Sequence, residues 1–224
     1  MISFKKIWPP GENRLHRAKR FFVSFYLIGV AGFLIPPLFP LFKLLVPFAL
    51  LLSFAGLILF RSHSFPLKLT LIFLFIYIAG FWIEVAGVQT GLLFGHYQYG
   101  RSLGLKLFET PLLIGLNWVL LVYLSASVLD NFRSPAFLKI TGASGIMLGY
   151  DIVLEQAAPL IDMWSWEGGE IPLQNYLAWF ILALCFHFLL YRSRVRLKNP
   201  LAVIILLCQV GFFLILFLLK PLLP

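Results

Sequence analysis

Residues 67–88 read LKLTLIFLFIYIAGFWIEVAGV, with no charge between Lys68 and Glu84. A helix needs about 20 consecutive apolar residues to cross the hydrocarbon of a bilayer, and this run supplies them. The same reading applies on both sides of it. Apolar stretches of similar length stand at 21–40, 42–60, 111–129, 136–157, 173–191 and 200–219. The fold class expected is all-α: a polytopic transmembrane bundle of seven spans, with the first two joined tightly through Pro40.

Composition agrees. The chain of 224 residues is 61% hydrophobic and 12% charged, whereas a soluble domain stands at roughly half apolar and a quarter charged. The length suits one bundle, 21–224, behind a basic segment, 1–20. The apolar run after that segment is long and shows no small-residue cleavage site, so it reads as an uncleaved first helix rather than a signal peptide. The net charge of +9 would raise nucleic-acid binding in a soluble protein. Here the charges lie in short connections between apolar runs and read as topogenic, so the bilayer is the expected partner and nucleic acid is not.

With the N-terminus inside, only Lys43, Arg101, Lys106 and Lys220 fall outside, leaving 14 of the 18 basic residues inside. This distribution favours seven spans with the C-terminus outside. The acids do the reverse: Glu84, Glu109, Asp151, Glu155, Asp162, Glu167 and Glu170 fall in the outer half, and only Glu12 and Asp130 inside. Orientation does not require that, so the outer side has another use for carboxylates.

Span five is the most informative. Gly142, Gly145 and Gly149 share one face and are expected to pack closely against a neighbouring helix. The opposite face carries Ser144, Asp151 and Glu155, the two acids one turn apart. Two carboxylates so placed repel if both ionise, and one is expected to keep a proton, the form a general acid needs. Glu84 lies near the outer end of span three, with Tyr77 seven residues earlier on the same face; its bland alternative is a structural partner for Arg101 or Lys106. Asn117, Gln174 and Asn175 add neutral polar groups at similar depth. Tyr97, Tyr99, Trp164 and Trp166 fit an aromatic belt at the interface or, alternatively, the wall of a pocket that steadies a cation. Residues 87–110, rich in glycine and aromatics, read as a structured loop folded over the outer mouth. Cys185 and Cys208 read as buried small hydrophobes. His16, His63, His96 and His187 show no ligand spacing, so no metal is expected. Neither a Walker loop nor a nucleophile elbow occurs.

The segments EVAGVQTGLLFGHYQYG (84–100), LGLKLFETPLLIGLNW (103–118), YDIVLEQAAP (150–159) and WSWEGGEIPLQNYLAWF (164–180), in this order, resemble the carotenoid biosynthesis membrane-protein family. That family includes hydratases acting on γ-carotene and on bisanhydrobacterioruberin. The resemblance covers roughly residues 70–190. Where family members often carry a proline directly after the second acid of the third block, this chain has Gln156, and a helix break is lost. The resemblance implies acid-catalysed hydration of the terminal double bond of a linear carotenoid end to a tertiary alcohol, with no cofactor. It implies Glu155 or Asp151 as the acid, Glu84 positioning the water and Asn117 and Asn175 orienting it. Tyr77, Tyr97, Tyr99, Trp118, Trp164, Trp166 and Gln174 are then expected to line the substrate pocket. The expected setting is the cell (inner) membrane of a bacterium or archaeon, among other carotenoid-pathway membrane enzymes. The rival readings are an end-group cyclase, which would exclude water, and a non-catalytic carotenoid- or lipid-binding membrane protein. An ion-coupled transporter fits less well, because the acids gather on one side rather than at mid-membrane.

Overall fold

The computed structural model describes residues 11–62 and 64–224. Lys5, Lys6, His63 and the first half of the 1–20 segment lie outside the described residues. Seven α-helices follow in chain order among the described residues: α1 (Glu12–Leu34), α2 (Phe39–Leu59), α3 (Leu67–Thr90), α4 (Leu113–Leu129), α5 (Ala136–Ala157), α6 (Leu173–Arg192) and α7 (Ala202–Leu218). Four helical stretches are long and apolar enough to cross a membrane: Pro36–Leu59, Leu67–Thr90, Ala136–Ile161 and Leu173–Arg192. The helices α4 and α7 are apolar but shorter.

The first expected span, 21–40, begins earlier in the structure, at Glu12, and its end differs in a way its prolines explain. A residue before proline disfavours the helical region, and Ile35, ahead of Pro36 and Pro37, is extended at φ −97°, ψ 107°. The helix therefore stops at Leu34, a short 3-10 turn takes Pro36–Leu38, and α2 starts at Phe39. α3 to α7 begin and end within two residues of their expected spans.

α4 is buried along nearly its whole length. α3 packs against it on one side, and α5 packs against α4, α6 and α7. Large side chains such as Phe48, Leu67 and Leu207 stand exposed on the outside of the bundle, a surface suited to lipid.

The close helix approach falls elsewhere than expected. A Cβ at Gly145 or Gly149 would meet nothing within 4 Å, and one at Gly142 only Leu129 at 3.3 Å. α5 spends its opposite face, with Ser144, Asp151 and Glu155, on its neighbours, and so its glycines look outward. Tight packing lies instead between α3 and α4, where a Cβ at Gly115 would sit 2.6 Å from the Tyr77 carbonyl oxygen and one at Gly80 2.8 Å from the Trp118 ring.

Residues 91–112 form a structured loop in which three short strands stand among turns. β1 (Tyr97–Tyr99) pairs antiparallel with β4 (Trp164–Trp166), and β2 (Lys106–Leu107) pairs with β3 (Thr110–Pro111). The YQY and WSW triplets alternate as strands do: Gln98 and Ser165 are exposed while Tyr99, Trp164 and Trp166 are buried.

Candidate active site

At the end of α3, Gly91 takes the left-handed conformation (φ 65°) and caps the helix with its N–H on the Gly87 carbonyl. The chain then reverses and β1 runs back over the helix end. α5 continues as a 3-10 turn (Ala158–Ile161), and Asp162, at φ 60°, sends the chain into β4. The two strands are pinned at both ends: Gly100 N donates to Met163 O at 2.9 Å, and Glu167 N to His96 O at 3.0 Å. Ser102 Oγ donates to Ile161 O at 2.5 Å, and the Lys43 ammonium lies 3.4 Å from Asp162.

This sheet brings two carboxylates into one site. Glu84, on α3, is 2% exposed and accepts three hydrogen bonds: Tyr97 Oη at 2.6 Å and Tyr99 Oη at 2.8 Å on Oε2, and Trp118 Nε1 at 2.9 Å on Oε1. Glu155, on α5, also accepts three: Trp164 Nε1 at 2.9 Å and Trp166 Nε1 at 2.7 Å on Oε2, and Asn175 Nδ2 at 3.1 Å on Oε1. A carboxylate is an acceptor with room for about four hydrogen bonds, and three donors in a buried site hold each one in a single orientation. Burial, and then the facing Glu84, push the Tyr97 and Tyr99 phenols above their usual 10.0. Both therefore remain O–H donors.

Between the two glutamates lies a cavity of about 10 Å³, walled by Phe94, Tyr97, Tyr99, Trp164, Trp166 and Trp179. That is about the room one water molecule needs. Trp118 stacks on Trp179 with centroids 4.2 Å apart. Asp151, one turn before Glu155, is fully buried, and neither of its oxygens has a hydrogen-bond partner among the described residues. A buried polar group without a partner is uncommon and calls for a cause.

A second, larger cavity of about 200 Å³ lies among α1, α2, α4, α5 and α7, with almost entirely apolar walls that include Phe33, Leu50 and Phe213. Leu154 and Met163 line it, each the chain neighbour of a residue lining the small cavity, Glu155 and Trp164.

The structure thus gathers Glu84, Glu155, Asn175, Tyr97, Tyr99, Trp118, Trp164 and Trp166 about one point, with Asp151 a turn away. Three expected residues go elsewhere. Asn117 lines the larger cavity. Tyr77 donates to the Leu112 carbonyl at 2.9 Å and ties α3 to the start of α4. Gln174 is exposed and donates to the Leu92 carbonyl, fastening α6 to the turn after α3. Among the described residues Glu84 takes no cation: Lys106 donates instead to the Tyr99 carbonyl at 2.5 Å. The tryptophans of β4 and Tyr99 are 5–8% exposed, so they wall the site rather than form an interfacial belt. Sequence reasoning missed Trp179 and Phe94. Trp179 was within reach, since it follows Asn175 by four residues and shares its face; Phe94 sits in a turn with no periodicity to reveal it.

The sequence profile of the carotenoid biosynthesis proteins matches residues 42–221, which include Glu84, Asp151 and Glu155. A curated relative is the bisanhydrobacterioruberin hydratase of Haloarcula japonica, 31% identical over 112 residues, or 44% of this chain and 36% of that protein. The match thus spans about a third of the relative's length. No solved structure matches. With the profile running from α2 to the end of α7, the chain belongs to the carotenoid biosynthesis protein family.

Proposed function

We propose that this protein hydrates the terminal double bond of a linear carotenoid end group, giving a tertiary alcohol. The observation that carries the reading is the pair of triply held glutamates facing one water-sized, aromatic-walled cavity, with an unpartnered acid one turn below.

The chemistry follows from what each group can do. Asp151 lacks a donor to hold it as an anion and serves as the proton source. Its proton adds to the CH carbon of the double bond, and the electron pair of that bond forms the new C–H bond. The adjacent tertiary carbon becomes cationic. Ring faces such as those of Trp179 and Tyr97 attract a cation within about 6 Å. Water held by Glu84 then adds to the cation, and its surplus proton passes to Glu155. From Glu155 the proton returns to Asp151, one helical turn away, which restores the acid. One water is consumed, and no electrons are gained or lost. The apolar cavity beside Leu154 suits the hydrocarbon end of the substrate, with Asn117 at its wall. In this reading all seven helices cross a bacterial or archaeal cell membrane, N-terminus inside and C-terminus outside, beside the other membrane enzymes that handle the pigment.

The test is pigment analysis in bacteria engineered to accumulate a linear or half-cyclised carotene and expressing this chain. A pigment heavier by one water, absent with Asp151→Asn and with Glu155→Gln, is the expected result. An isomeric cyclised product would replace the hydratase with a cyclase. An unchanged profile across several carotenes, with the protein folded in the membrane, would leave a carotenoid binder.

A further inference from the structure

The opposite end of the same helices carries a cavity of about 510 Å³, larger than either described above. It opens between the last turn of α4, the first turns of α5 and the segment that follows α6. From Ile140 in its wall to Glu155, α5 rises through 15 residues, about 22 Å, so this cavity is separate from the carboxylate site. Its volume falls in the range of small-molecule sites, roughly 300–1,000 Å³.

Its walls combine two chemistries. The interior is apolar, with Leu129, Ile140 and Leu190 among its residues. The rim holds Lys139, Arg192, Arg194 and Arg196 against one acid, Asp130. That acid is already engaged: Lys139 Nζ lies 3.0 Å from Oδ1, and Leu197 N donates to Oδ2 at 2.8 Å. Among the described residues none of the three arginines makes an ion pair. The cavity is therefore left with an excess of positive charge beside an apolar wall.

The segment carrying the arginines is also held in place. Ser127 Oγ donates to Leu197 O at 2.6 Å, Val195 N to Ser193 Oγ at 3.1 Å, and Asn199 Nδ2 to Leu57 O at 2.7 Å. Arg194 itself stands at φ 57°, an uncommon conformation for a residue with a side chain. Charges on an unanchored loop would have no reason to be fixed this way.

We propose that this cavity binds a phosphate group, supplied by the headgroup of an anionic membrane lipid. Arginine matches phosphate oxygens with paired N–H donors, and basic pockets between transmembrane helices suit anionic headgroups. The apolar wall then receives the first methylenes of the lipid chains.

The full-length protein, reconstituted in nanodiscs with equal phosphatidylglycerol and phosphatidylcholine and then released for native mass spectrometry, provides the test. The expected result is phosphatidylglycerol retained over phosphatidylcholine by about tenfold or more, which is what one hydrogen bond to a charged group is worth. The double variant Arg192→Ala/Arg196→Ala, both exposed positions, loses that preference, while Arg20→Ala on α1 keeps it. Melting of the double variant in detergent checks that it is folded. A melting temperature raised by inorganic phosphate, lost in the double variant, would keep the phosphate site and assign it a free anion in place of the lipid. Equal retention of the two lipids without any response to phosphate overturns the proposal, as does a folded double variant that binds like the parent.

Discussion

Tyr97 and Trp166 are register partners across β1 and β4, with ring centroids 5.1 Å apart, and each donates to a different glutamate. Tyr97 Oη holds Glu84 and Trp166 Nε1 holds Glu155. The next pair, Tyr99 and Trp164, repeats the division. One strand therefore serves the carboxylate of α3 and the other that of α5, and the sheet is a brace fixing the separation of the two acids. Neither helix alone sets that spacing.

Coupling between the two strands follows. Tyr97→Phe and Trp166→Phe each remove one buried donor to a carboxylate, a loss of about 1.5–3 kcal/mol in isolation. Because the rings touch, the double variant is expected to depart from additivity by about 0.5–3 kcal/mol. Unfolding free energies of the four proteins measure this, and strict additivity would show that the two halves of the site act independently.

The two acids of α5 are expected to respond differently to neutralisation. Asp151 makes no hydrogen bond among the described residues, so Asp151→Asn removes none and is expected to cost less stability than Glu155→Gln. If it is the proton donor, product formation falls by about 10²–10⁴-fold. Glu155→Gln confronts two indole N–H groups and an amide N–H with one oxygen and one NH₂. One donor is left facing a donor, and the loss of activity comes with a stability cost of about 1–3 kcal/mol. A stable Asp151→Asn that retains full turnover would remove Asp151 from the acid role.

These contrasts also mark what was legible in the sequence. Length and hydropathy placed the helices, because apolar runs of this size have few alternatives. The i, i+4 pair Asp151 and Glu155 was readable because helical periodicity is local. The partners of Glu84 were not, since Tyr97 and Tyr99 reach it only after Gly91 and Gly95 turn the chain back, and no local pattern encodes that return. The YQY and WSW alternation carried the sheet, but strands of three residues give too short a period to stand out in a membrane protein. The outward face of Gly145 and Gly149 was misjudged because spacing fixes which residues share a face and leaves open which neighbour, if any, that face meets.

The tyrosines give the site an alkaline signature. Burial and Glu84 raise both phenols above 10.0, so the folded protein keeps their protons at a pH where the unfolded chain has lost them. Stability is then unaffected by these groups below about pH 10 and falls as pH rises beyond it, because the folded state binds more protons. Tyrosine absorbance should show fewer phenols ionising at that pH in the folded protein than in the unfolded chain, with Tyr97 and Tyr99 among those held back. Tyr97→Phe should lessen the alkaline fall in melting temperature. A fall of unchanged steepness in that variant would mean that the phenol is not shielded as the structure has it.

Two glycines separate packing from propensity. A Cβ at Gly100 would stand 2.2 Å from the Asp162 carbonyl oxygen, whereas one at Gly145 meets nothing within 4 Å. Gly100→Ala must push β1 from the corner that leads into β4, which costs about 1–3 kcal/mol as overpacking does. It also draws Tyr99 off Glu84, so turnover should fall with stability. Gly145→Ala adds a better helix former on an open face and should stabilise by up to about 1 kcal/mol. Melting temperatures of the two variants in the same lipid are expected to move in opposite directions. If Gly145→Ala proves as damaging as Gly100→Ala, the open face of α5 is covered in the membrane, and the glycines pack there against a second molecule.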